Sequence, residues 1–102
     1  MSIVGVTEYQ GLGHETITVG STPVGLTTML QNYATCQLRA FITCEGGAIR
    51  FWMDGSNPTS TKGHLLEPGQ NLTLEGYNRL IQFKAIRAGT SDGILQVSYE
   101  RA

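Results

Sequence analysis

Apolar and polar residues alternate along most of this chain, in short runs separated by glycine-rich breaks. Alternation with a period of two is the signature of a strand with one buried face. Thr16-Ile17-Thr18-Val19 puts Ile17 and Val19 on one side. Residues 37–45 put Leu38, Ala40, Ile42 and Cys44 on one side and Arg39, Phe41, Thr43 and Glu45 on the other. Residues 48–54 set Ile49, Phe51 and Met53 against Arg50 and Trp52. Residues 71–75 offer Leu72 and Leu74, and residues 94–100 offer Leu95, Val97 and Tyr99. Residues 80–87 read as one further strand, with Ile81, Phe83 and Ala85 opposite Gln82 and Lys84. Ile86 breaks that alternation, as a β-bulge would.

The breaks carry turn chemistry. Gly46-Gly47 predicts a hairpin joining residues 37–45 to residues 48–54, since both glycines accept positive φ. Asp54-Gly55, Pro68-Gly69, Gly76 and Asp92-Gly93 mark other corners, and residues 56–63 form a polar loop. Residues 27–34 fit either a short helical turn or an irregular crossover. The expectation is all-β: a small antiparallel β-sandwich over residues 16–102, with residues 1–15 as an N-terminal arm that is either a weak strand or a loose segment. Its core would hold Ile42, Ile49, Phe51, Leu72, Leu74, Phe83, Leu95 and Val97.

A chain of 102 residues with no shift in composition supports one domain with one modest core. Oligomerisation is a common way for so small a chain to bury more surface. Formal net charge is -1, and the seven basic residues are scattered from Arg39 to Arg101. Nucleic-acid binders draw affinity from clustered phosphate-neutralising cations, so this pattern argues against such a partner. No apolar run approaches the roughly 20 residues that cross a bilayer. With no basic n-region or long apolar stretch at the start, the expectation is a soluble protein made in a cytoplasm, without membrane contact. Asn71-Leu72-Thr73 matches a glycosylation sequon only formally.

Candidate chemistry is sparse. Cys36 and Cys44 would close only a short loop as a disulfide, and two small reduced thiols is the simpler reading. The two histidines, His14 and His64, fall in expected loops and are not spaced to complete a zinc site. Ser60, His64 and Asp54 could be written down as a triad, but no nucleophile-elbow sequence supports it. No catalytic residue, cofactor or metal ligand is assigned, and the chain is read as a non-enzyme. Trp52 points either outward, as a sugar-stacking or protein-contact platform, or into a second covered face. The arm carries Ile3, Val4, Val6 and Tyr9. It is either a frayed terminus or a segment that adds to another subunit's sheet edge. Ile3, Val4, Val6, Tyr9 and Trp52 are therefore the candidate protein-interface residues.

The order of features carries a resemblance. Thr16-Ile17-Thr18-Val19 is followed by Val24-Gly25-Leu26-Thr27, Ala40-Phe41-Ile42 and Ile49-Arg50-Phe51-Trp52-Met53-Asp54-Gly55. Then come Asn57-Pro58-Thr59, Gly63-His64-Leu65-Leu66, Pro68-Gly69-Gln70, Leu72 to Gly76, Ile81-Gln82-Phe83-Lys84-Ala85-Ile86 and Leu95-Gln96-Val97-Ser98-Tyr99. Over residues 16–100 this resembles small β-sandwich virion proteins of tailed bacteriophages. The resemblance implies a jelly-roll-like sandwich with a structural role in the particle, foremost as a capsid decoration, or cement, protein. Such proteins often sit on the shell as trimers, so the implied partners are further copies of the chain and the major capsid protein or another virion protein. Head–tail connectors, tails and fibres use similar sandwiches. From the residues alone, a carbohydrate-binding module built on Trp52 is the alternative.

Overall fold

The computed structural model describes residues 8–26 and 28–102, with the side chains of residues 28 and 29 also left aside. Among the described residues there are eight strands: β1 (Gln10–Val19), β2 (Val24–Gly25), β3 (Leu38–Gly46), β4 (Ile49–Trp52), β5 (His64–Leu66), β6 (Asn71–Glu75), β7 (Lys84–Arg87) and β8 (Gly93–Arg101). A 3₁₀ helix, Thr28–Tyr33, follows β2, and a short helix α1 (Tyr77–Gln82) precedes β7. The strands form two antiparallel four-stranded sheets, in the orders β1-β8-β3-β6 and β2-β7-β4-β5.

The expected alternation puts the core between the sheets. Leu38, Ala40, Ile42 and Cys44 of β3, Leu95, Val97 and Tyr99 of β8, and Leu74 of β6 are buried from one side. Ile49, Phe51, Leu66 and Ala85 meet them from the other, with Phe83 stacked 5.6 Å from Phe51 between ring centroids. Leu72 is only partly buried, at the rim of the core. Tyr99 is buried, and its hydroxyl donates to Glu15 on β1. A buried phenol needs such a partner.

Five expectations are corrected. First, the strand that pairs with β8 begins at Gln10, opposite Arg101, so residues 10–15 belong to the sheet and not to an arm. Second, Gly46-Gly47 is not a hairpin. β3 pairs with β6 and β8, whereas β4 pairs with β5 and β7, so these glycines carry the chain from one sheet to the other. The Gly47 N–H donates to the Asp92 carbonyl at 2.9 Å, and a Cβ on Gly47 would collide with the Ser91 carbonyl oxygen.

Third, residues 80–87 are not one strand. Gly76 turns the chain at φ 98°, the Leu80 N–H donates to its carbonyl at 3.2 Å, and Leu80 is buried from one turn of helix. Ile81, expected inside, is 47% exposed. Phe83 and Ala85 do reach the core, but from the extended residues after the helix. Fourth, β4 and β7 stay in register through Ile86, and the register shift lies between Gly11 and Gly13 of β1. Fifth, His14 and His64 lie in strands: His14 opposite Ser98 and His64 opposite Phe51.

Truncating Phe83, which is 1% exposed, to alanine is expected to cost about 3–5 kcal/mol. Gly47→Ala should cost about 1–3 kcal/mol, because its obstacle is backbone that cannot swing aside. Gly89→Ala has open space and serves as the control, with a change within about 0.5 kcal/mol. Urea unfolding of the three variants checks the ranking. A Gly47→Ala protein as stable as Gly89→Ala would contradict the crossover geometry.

Candidate interaction surface

The outward residues of β3 make a polar row, Arg39, Thr43 and Glu45, interrupted by one large apolar side chain. Phe41 is 42% exposed. It pairs with Thr73 of β6 on one side and Ser98 of β8 on the other. Arg39, Phe41, Thr73, Ser98 and Glu100 line a shallow depression of about 460 Å³ on this outer face. The Arg39 Nε donates to Glu100 Oε1 at 2.8 Å, and that hydrogen bond raises the guanidinium's pKa. Both groups are exposed enough for solvent to screen them, so the pair chiefly fixes geometry.

Tyr9 packs on Arg39 from outside the depression. Its ring centroid lies 3.8 Å from the Arg39 guanidinium carbon, and its hydroxyl accepts from Gln37 Nε2 at 3.2 Å. A cation over an aromatic face is attracted by the ring quadrupole. Tyr9, just ahead of β1, is thus held at the end of the sheet.

The other expected interface residues do not join this surface. Ile3, Val4 and Val6 lie outside the described residues. Trp52 is half-buried on the second sheet, alternating with inward Phe51, so it faces away from the Phe41 depression. Its ring meets His64 edge-on, with centroids 5.2 Å apart. Arg39, Phe41, Thr73, Ser98 and Glu100 were not singled out from sequence. The available signal was Phe41 itself, a bulky apolar residue at an outward position.

A second depression, about 400 Å³, lies where loops meet the second sheet, between Pro23, Pro58, Thr59, Ile86 and Arg87. Arg87 is engaged by Asp92 at 2.8 Å. Of the residues that could be written as a triad, Asp54 accepts from the Ser56 N–H at 3.0 Å, and His64 packs on Phe51 and Trp52. Among the described residues, no three His, Cys, Asp or Glu side chains group so as to hold a metal ion, and no helix is long and apolar enough to cross a membrane. No protein-family model matches the chain, and no curated protein does.

Both cysteines are free thiols. Burial, with a smaller contribution from the Glu45 charge, pushes the Cys44 thiol above its ordinary pKa. Its Sγ sits 3.5 Å from the Gly47 carbonyl oxygen. The thiolate is the reactive species, so native Cys44 should alkylate at least about tenfold more slowly than half-exposed Cys36 at neutral pH. The difference should vanish in denaturant. Peptide mapping after timed iodoacetamide treatment measures both rates, and equal native rates would contradict the burial of Cys44.

Proposed function

We propose that this chain is a non-enzymatic structural protein of a bacteriophage particle, acting as a capsid decoration protein that binds the shell by shape and edge-strand contacts. The observation that carries the reading is the strand order β1-β8-β3-β6 facing β2-β7-β4-β5. This arrangement sends most successive strands to opposite sheets, as in a jelly roll, an architecture widely used in capsid domains. The resemblance across residues 16–100 points the same way.

Several features suit the role. Among the described residues, the edge strands are β1 and β6 in one sheet and β2 and β5 in the other. Open edges present backbone N–H and C=O groups to a partner strand. The near-neutral charge allows many copies to sit side by side with little repulsion. The chain would work as a homo-oligomer, with a trimer favoured, made in the host cytoplasm and carried in the virion. Ile3, Val4, Val6 and Tyr9 would contribute subunit contacts, each small gain being multiplied across the shell by avidity.

The test is sedimentation of the purified protein with heads prepared from its own phage lacking this chain. Co-migration with heads at saturable stoichiometry, in multiples of three per site, is the expected result. Association with tails alone would favour the connector or fibre reading, and no association with any particle would contradict a virion role.

A further inference from the structure

We propose that the Phe41 depression and the open edge of β6 receive residues 1–7 of a second copy of this chain. The inference rests on the assembly reading above and names the acceptor for its arm. Phe41 is the one large apolar residue on the outward side of β3, exposed at 42% between Thr73 and Ser98. The depression around it, about 460 Å³, has room for an aliphatic side chain. β6 is the outermost strand of this sheet, and its Thr73 pairs directly with Phe41. An extended segment laid along β6 would hydrogen-bond to the open backbone edge and drop alternate side chains onto this face.

The sequence ahead of β1 has the matching pattern. Val4 and Val6 are two residues apart and share one face of any extended strand. Ile3 adds apolar surface to the opposite face.

The geometry favours a neighbour's segment over the chain's own. Gln10 stands opposite Arg101, and Arg101 opposite Leu38, at the end of the sheet. Phe41 lies further in, at the level of Ser98 and His14. Tyr9, the residue before β1, is clasped by Arg39 and Gln37 at that end. Covering its own Phe41 would require a reversal within the few residues before Tyr9. A second copy needs no reversal. A formal charge of -1 offers little opposition to like copies.

The test pairs Val4→Cys with Thr73→Cys in a Cys36→Ser background, oxidised with diamide as a mixture of isotope-labelled and unlabelled chains. Residue 4 should link to residue 73 of the other isotope, giving dimers and larger species on a non-reducing gel. Separately, Phe41→Glu should weaken self-association at least about tenfold in sedimentation velocity, with an unchanged far-UV spectrum. Links confined to one chain would overturn the proposal, as would Phe41→Glu associating normally without any 4–73 link. A chain lacking residues 1–7 separates the two levels. If it associates like the full chain, the arm reading itself fails. If it dissociates while Phe41→Glu does not, the arm acts elsewhere and only the acceptor is wrong.

Discussion

The fold depends on a corner where two chain crossings lock against each other. Gly46 and Gly47 carry the chain out of the first sheet, and the segment from Arg87 to Gly93 carries it back. The Gly47 N–H donates to the Asp92 carbonyl, and the Ala88 N–H to the Ala48 carbonyl, both at 2.9 Å. Gly46 turns at φ 74°, a left-handed value that suits glycine. Side chains at Gly47 and Gly93 would strike Ser91 and Ile49. This close approach lets β3 and β8 pair in one sheet while β4 and β7 pair in the other.

That arrangement determines what the surface can offer. β8 and β3 are the inner strands of their sheet, so their outward faces are laid out rigidly. The Arg39–Glu100 pair, Phe41 and Ser98 therefore sit on a scaffold that does not depend on any loop. Among the described residues, β1 and β6 flank them as the edge strands. The proposed docking by shape and strand addition would use this face and these edges. Trp52, at the end of β4 and set against His64, belongs to the other sheet and contributes nothing to that surface.

The sequence disclosed faces more readily than neighbours. A period of two identifies which side chains go inward, and Leu38, Ala40, Ile42, Leu95, Val97 and Tyr99 all do so. Alternation carries no information about which sheet a strand joins, so Gly46-Gly47 read as a hairpin when it is a crossing. Residues 80–87 misled for a different reason. One turn of helix is too short for a 3.6-residue period to separate from a strand, and the informative signal was the turn at Gly76. The interaction surface was harder still. Phe41 was visible as an outward residue, but Thr73, Ser98 and Glu100 come from distant segments and converge only once the register is fixed. Tyr9 was legible as part of an apolar stretch, yet its hold on Arg39 depends on β8 lying between β1 and β3.

The most direct measurement of this assembly mode is backbone hydrogen exchange of the full-length protein at low and high concentration. If a neighbour's segment adds to β6, amides at residues 71–75 should gain protection with concentration, together with amides in residues 1–7. Amides in β8, already paired on both sides, should not change. Protection rising at β2 and β5 instead, or at no edge while the protein self-associates, would contradict it.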